Sequence, residues 1–590
     1  MERELGLKGG GFLLADVTPE QVFTPEELNE DHLQLKRMTR NFVEKEIAPK
    51  IEALEEQEEG LIREFMSQAG ELGLLGLEIP EEFGGMSMDK FSTVVVGEEV
   101  PRGASFAVSY AAHTGIGSLP IVYFGTPEQK AKYLPGLASG EKIAAYCLTE
   151  PGSGSDALGA KTTAVLNAEG THYILNGTKQ FITNAGFADI FLVYAKVDGK
   201  LTNFIVERDM PGVSFGPEEK KMGIKGSSTR QVILEDVAVP VENIVGELGR
   251  GHVVAFNILN IGRFKLAAAA IGSAQIALET ILKYASERKQ FGVPLNTFGA
   301  IQHKIAEIAT QTYLAESVVY RTAGLMEEAC KDLNVTGDCR KEAGVAIEEY
   351  AIECSLNKVI ASEVLDFTVD EGVQIHGGYG FIAEYPIERM YRDSRINRLF
   401  EGTNEINRLL VPGTLLKRAM KGELPLLQAA QNVTKDLMAV SLGDEEGLNG
   451  LLEMTKKAKK LCLLAAGVAA QNLGMELKDN QYVLMGLAEM VLQVYAMESG
   501  ILRALKVQDM DLPEDHKLFA EKAATLGAFT AMNIIEQHAK EVVCAAEKGD
   551  SLSTVLAGVR KLLRRPNVDM IGLRQEIAKM VIEKGKYPIR

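Results

Sequence analysis

The feature that most limits this chain is a change of hydrophobic period in its middle. Up to about residue 140, and again from 250 onward, apolar residues recur at helical spacing. Examples are 33-LQLKRMTRNFVEKEIAP-49 and the stretches 264–288, 298–330, 340–369, 450–473 and 515–549. Between 146 and about 245 the runs are short and rich in branched and aromatic residues. Gly, Asn, Asp and Pro separate 172-HYILNG-177, 190-IFLVYAKV-197, 203-NFIVE-207 and 230-RQVILEDVAV-239. At 590 residues the chain is too long for one core. The expected fold is mainly α with a central β domain. It divides into an N-terminal extension (1–24), a helical domain (25–145), a β domain (146–248), a helical bundle (249–418) and a further helical domain (425–590). Thr24-Pro25-Glu26-Glu27 reads as a helix start with Thr24 as its cap.

A net charge of −18 argues against nucleic acid as a partner. The six cysteines form no CxxC pair, so they read as free thiols in a reducing compartment, and no metal is expected. Glu2, Glu4 and Asp16 are unlike a transit peptide, and there is no unbroken run of eighteen apolar residues. The expected location is the cytoplasm. In 555-VLAGVRKLLRRPNVDMIG-572, Arg560, Lys561, Arg564 and Arg565 flank Leu562 and Leu563, a pattern that can lie on anionic lipid. Pro566 cuts that helix short and the overall charge is negative. The favoured reading is that the leucines face the core; peripheral membrane contact is the second reading.

Chemistry concentrates in a few stretches. In 399-LFEGTNEI-406, Glu401 sits among apolar neighbours, where a carboxylate gains basicity. Taken alone, it is also a favourable acid beside a helix start. The loop 146-YCLTEPGSGSDALGAKT-162 offers backbone N–H groups and hydroxyls to a ligand, although such loops are mostly plain turns. In 177-GTKQFITNAG-186, Phe181 and Thr183 place an aromatic ring and a hydroxyl near each other. Arg288 and Lys289 end a long helix, and His376 in 374-QIHGGYGF-381 reads on its own as structural.

In order along the chain, 148-LTEPGSGSD-156, 288-RKQFG-292, 374-QIHGGYGF-381, 392-RDSRI-396 and 400-FEGTNEI-406 resemble the acyl-CoA dehydrogenase family over residues 30–415. The turn 221-KMGIKGSST-229, the length and the helical region after 420 are most similar to its very-long-chain branch. The resemblance implies an N-terminal helical domain, a middle β-barrel, a four-helix bundle and an additional C-terminal helical domain. It implies FAD as cofactor, lined by Tyr146, Cys147, Leu148, Thr149, Gly154 and Ser155 and covered by Phe181, Ile182 and Thr183. Arg288, Lys289, Gln290, Phe298, Gln374, Ile375, His376, Gly377 and Gly378 would reach the FAD of a neighbouring subunit, so a homodimer is expected. Thr403, Asn404 and Glu405 would also touch FAD, and Ser155, Asn260, Arg263 and Gly402 would hold the acyl-CoA. Where the family usually has tryptophan, this chain has Phe181.

The implied activity is α,β-dehydrogenation of a long-chain fatty acyl-CoA in β-oxidation, with electrons passed to electron-transfer flavoprotein. Glu401 would be the base for the Cα proton. Some branches carry their base just before the arginine that matches Arg263, but here that position is Gly262. In 113-HTGIGSLPI-121, Gly115, Gly117 and Ser118 are expected to leave room for a long tail. The alternatives are an acyl-CoA oxidase using oxygen and a non-catalytic assembly or scaffold protein of the same fold.

Overall fold

The computed structural model describes residues 8–436 and 446–589. The helical and β blocks fall where the periods change. The first long helix does not begin at Thr24. That residue opens a single 3-10 turn, Pro25–Glu27, in which its N–H donates to Glu27 Oε2 (2.8 Å). The helix proper is Glu30–Phe42, capped by Asn29, whose side chain accepts from the His32 N–H (2.9 Å). Leu28 is extended between the two, so the expected start lies one cap too early.

The middle block forms one eight-stranded sheet. Its strands are β1 (Ala144–Cys147), β2 (Thr163–Leu166), β3 (His172–Thr183), β4 (Ile190–Val197), β5 (Lys200–Glu207), β6 (Val213–Phe215), β7 (Thr229–Pro240) and β8 (Ile244–Val245). The order is β6-β7-β3-β2-β4-β5-β8, and β1 runs parallel to β4. β4 is buried over its first six residues, which is why it reads as a continuous apolar run rather than an alternating one. The pairing of β3 with β7 slips between Lys179 and Ile182. That irregularity turns Phe181 out of the sheet at φ 59°, leaving it 62% exposed.

Four long helices, Gly251–Glu287, Gly299–Cys330, Ala351–His376 and Asn404–Met420, pack on one another, and Gly251–Glu287 lies against β5 of the sheet. Gly251–Glu287 is the central one. Among the described residues it is the single helix long and apolar enough to cross a membrane, yet 78% of its most apolar window is buried inside the fold. A second set, Gly447–Leu473, Gln481–Gln508, Glu514–Ala546, Gly549–Leu562 and Met570–Lys584, forms the additional C-terminal domain. Leu562 and Leu563 are buried there, and Arg565 bonds Asn533 (2.7 Å) and approaches Glu536 (3.4 Å), so the apolar side of the basic segment faces the core. All six cysteines are unpaired thiols.

The segment 8–27 is more than an extension. Phe12 is buried and lies 4.7 Å from the Tyr495 ring. The Gly9 and Gly10 N–H groups donate to Glu349 and Glu353, while Lys459 and Lys506 bond the carbonyls of Ala15 and Val22. Arg503, fully buried, holds Glu26 and Glu316 at 2.7 Å each. The segment thus straps the C-terminal domain to the bundle. Arg503→Ala removes the cation from two buried carboxylates, leaving Glu26 to His516 and Glu316 to Gln275 and Tyr587, and should cost about 3–5 kcal/mol. Urea unfolding of the variant checks this; an unchanged midpoint would remove the clamp from the account.

Candidate active site

Glu401 sits in a turn that its sequence can make only under constraint. It has φ 57°, the left-handed region that a residue with a side chain rarely adopts, and Gly402 follows at φ 79°. Side chains from three helices hold the turn by its carbonyls. Arg263 Nε donates to Glu401 O (3.0 Å), and Lys358 Nζ donates to Gly402 O (2.8 Å). Asn407 Nδ2 donates to the carbonyls of Glu401, Gly402 and Thr403. Thr403 then caps the helix Asn404–Met420, accepting from the Ile406 N–H (3.2 Å). Arg263 is oriented by Asn260 Oδ1 (2.9 Å).

This turn presents the carboxylate over the central helix at Gly262. A Cβ there would lie 2.8 Å from Glu401 Oε2 and 2.9 Å from Oε1. Gly262 therefore leaves open the space that the Glu401 carboxylate occupies. Glu401 Oε2 is buried without a hydrogen-bond partner. Burial raises the carboxyl to a pKa of about 7, against the opposing pull of Arg263 and Lys358. Burial likewise lowers the Lys358 ammonium to about 7. A carboxyl that loses its proton near neutrality in an apolar setting is suited to take one from carbon.

Two cavities meet at Glu401. The larger, about 910 Å³, is lined by Tyr146, Leu148, Thr149, Gly154, Ser155, Phe181, Ile182, Thr183, Asn260, Arg263 and Gly402, among others. The smaller, about 200 Å³, runs between the central helix and residues 101–116. Thr183, Phe400 and Glu401 line both. The small residues facing the narrow cavity are Ala104, Ala107, Ala111, Ala112 and Gly115 on one side and Gly262, Ala269, Ala270 and Ser273 on the other. Of the three residues expected to make this room, Gly115 alone does. A Cβ on Gly117 would meet Ala144 Cβ at 2.8 Å, so that glycine serves close packing on β1, and the Ser118 hydroxyl donates to His113 O (2.7 Å).

The wall of the large cavity fits a flavin. Leu148, Ile182 and Phe400 offer apolar faces, and Thr149, Ser155 and Thr183 offer hydroxyls at the rim. Gly154 has nothing within 4 Å of the place a Cβ would take, and the Tyr146 hydroxyl is buried without a partner. Glu150 fixes the glycine loop by accepting from the N–H groups of Lys161 and Thr162 and from Lys179 Nζ (2.7 Å). Burial pushes Glu150 up, but these donors outweigh it and hold the carboxyl at about 2.

Other residues in the reading lie elsewhere. Cys147 turns its thiol into the core beneath β1. Asn404 is buried and spent on Lys358, Ser362 and Glu363, while Glu405 is exposed on the first helical turn. Arg288, Lys289, Gln290, Phe298, Gln374, Ile375, His376, Gly377 and Gly378 line neither cavity. They group at the far end of the bundle, where Arg288 lies over the Tyr379 ring (5.1 Å) and His376 stacks on Tyr284 (4.0 Å). His376 Nδ1 donates to Gly372 O (2.7 Å), and its ring is buried, so in this chain it holds the helix end. Lys358 and Gly262 carry no local sequence signal, because each meets the turn from far away in sequence, and Asn407 is one more polar residue on a helix until the fold of the turn shows the carbonyls it holds.

Comparison with known proteins gives the family. Models of the acyl-CoA dehydrogenase N-terminal, middle and C-terminal domains match residues 29–141, 145–237 and 249–416, and a further acyl-CoA dehydrogenase C-terminal domain matches 457–561. A probable acyl-CoA dehydrogenase of Bacillus subtilis is 53% identical over 99% of this chain and 98% of its own length. The very long-chain specific acyl-CoA dehydrogenase of Bos taurus mitochondria is 37% identical over 84% of this chain and 78% of its own. A crystal structure of an acyl-CoA dehydrogenase complexed with FAD from Bacillus anthracis superposes with a TM-score of 0.96 at 54% identity, covering 98% of this chain and 99% of that one. The chain belongs to the acyl-CoA dehydrogenase family, as an FAD-dependent enzyme carrying the additional C-terminal domain.

Proposed function

We propose that the protein dehydrogenates long-chain fatty acyl-CoA thioesters to trans-2-enoyl-CoA, with Glu401 as the base. The observation that carries this is the buried carboxylate of Glu401 at the junction of a tail-shaped and a flavin-sized cavity. The acyl tail enters the alanine-lined cavity, and the CoA leaves through the larger one past Ser155, Asn260 and Arg263. Glu401 removes the Cα proton, and Arg263, Asn407 and Lys358 keep its turn from relaxing. FAD, held by Tyr146, Leu148, Thr149, Gly154, Ser155, Ile182 and Thr183, supplies when bound the acceptor for the hydride from Cβ. The small residues on both sides of the tail cavity, and the very-long-chain relatives, support a long chain as substrate.

Electrons then pass to electron-transfer flavoprotein, and the 62% exposed Phe181 beside the cavity suits a docking partner. The assembly is a homodimer in this reading. Phe291 and Phe381 are 94% and 86% exposed next to Arg288 and the 374–381 loop, a patch that a second subunit would cover. We place the enzyme in the cytoplasm, where its six free thiols suit a reducing compartment.

Anaerobic addition of palmitoyl-CoA to the purified protein should bleach its flavin absorbance. A protein that binds no flavin, or one whose flavin no acyl-CoA bleaches, overturns the proposal, and peroxide formed in air at the rate of turnover makes it an oxidase. Arg288→Ala should lose FAD on gel filtration and shift the dimer toward monomer together. Loss of neither would take this patch out of the cofactor site.

A further inference from the structure

Lys265 lies two residues beyond Arg263 on the central helix and lines the tail cavity. It also lines a second, smaller void of about 30 Å³ that is closed in by Leu75, Leu77, Glu78, Tyr110 and Thr114. Four residues are common to both spaces: Ala107, Ala111, Lys265 and Ala269. Three of the four end at Cβ. Lys265 has the one side chain among them long enough to stand between the cavity and the void.

Lysine is ordinarily a flexible divider, but this one is pinned at its far end. Its ammonium donates to Thr114 O (3.0 Å) and pairs with the buried carboxylate of Glu78. Glu78 is itself fixed by Lys90 (2.5 Å), which bonds the Tyr123 hydroxyl (2.7 Å). The stem is confined too, since a Cβ on Gly115 would touch Lys265 Cδ at 3.4 Å. The cluster has two lysines to one carboxylate, so removing Lys265 leaves Glu78 still paired with Lys90.

We propose that Lys265 is the residue that sets the depth of the acyl-tail cavity, acting as a fixed wall between that cavity and the void over Glu78, and so determines chain-length specificity. This rests on the reading of the narrow cavity as the acyl site. Its role is one of volume: the methylene stem occupies the space through which a longer or methyl-branched tail would continue, and the ammonium only anchors the stem.

The test measures kcat/KM for straight acyl-CoA substrates from octanoyl to eicosanoyl, and for a methyl-branched hexadecanoyl thioester, on the FAD-loaded enzyme. Lys265→Ala should raise kcat/KM for the longest and the branched substrates relative to octanoyl-CoA by roughly tenfold or more, the scale of one added methylene in a fitted pocket. Lys265→Met keeps the volume and loses the charge, and should keep the wild-type profile. Should the alanine variant not fold, Lys265→Val gives the same comparison at intermediate size. A small-residue variant with an unchanged profile overturns the proposal, as does a methionine variant that shifts as far as the small one. Wild-type enzyme that turns over no acyl-CoA of any length would instead overturn the functional reading itself.

Discussion

Glu401→Gln is expected to keep its fold and its yellow colour and to lose ~10²–10⁴-fold in turnover, the usual loss on removing a general base. The amide has the shape of the carboxyl and cannot accept the Cα proton. The same residue sets the pH dependence. Burial raises its pKa to about 7, and a general base works in its ionised form. So kcat/KM should climb through pH 6–8 and level off above, with that limb absent from the residual activity of the variant. The linkage to stability has the opposite sign. A carboxyl whose folded pKa is raised from 4.5 favours the fold fully below pH 4.5 and loses that contribution as pH rises through about 7. Glutamine does not titrate. Relative to the wild type, Glu401→Gln should therefore gain stability on going from pH 4 to pH 9, by up to about 3 kcal/mol for a shift of this size. Thermal melts of the two holoproteins across pH check this. Turnover within tenfold of wild type would dismiss Glu401 as the base.

Gly262→Ala should be nearly as damaging to activity and almost silent in stability. The added Cβ would stand 2.8 Å from Glu401 Oε2, closer than real contacts come, so the carboxylate must move. It is the end of a flexible side chain and can do so cheaply, while alanine favours a helix interior over glycine by roughly 0.5–1 kcal/mol. A catalytic group displaced by about 1 Å costs on the order of 10²-fold. The loss should appear in kcat, with KM for the acyl-CoA little changed and the melting temperature level or higher. A variant that turns over at the wild-type rate would show that the carboxylate does not work from above Gly262.

How much of this was legible beforehand differs from element to element. The glycine loop, the Phe181–Thr183 stretch and the 399–406 turn announce themselves locally, because a close backbone approach and a helix cap are written in neighbouring residues. The same stretches line the large cavity. Thr24 and Asn29, two caps five residues apart, look alike in sequence, and only the extended Leu28 between them separates the 3-10 turn from the helix. Gly115, Gly117 and Ser118 read alike in sequence because small residues can make room or allow close packing. Only the position of β1 against Gly117 tells which.

By itself the sequence determined the alternation of helical and β blocks, since hydrophobic period is a property of nearest neighbours along the chain. It also singled out Glu401 as the candidate base, through the resemblance carried by the run of turn and capping residues around it. The tertiary structure alone decided how that carboxylate is buried, which raises it to about 7 against the pull of Arg263 and Lys358, and how its turn is held. Arg263 and Lys358, 138 and 44 residues away from the carbonyls they hold, are brought to one turn by the packing of three helices. It decided that Gly262 leaves room for the Glu401 carboxylate, that segment 8–27 is a strap, and that Lys265 lines two spaces. Each of these depends on distances across the fold, which burial and chain crossing set and no local pattern of residues encodes.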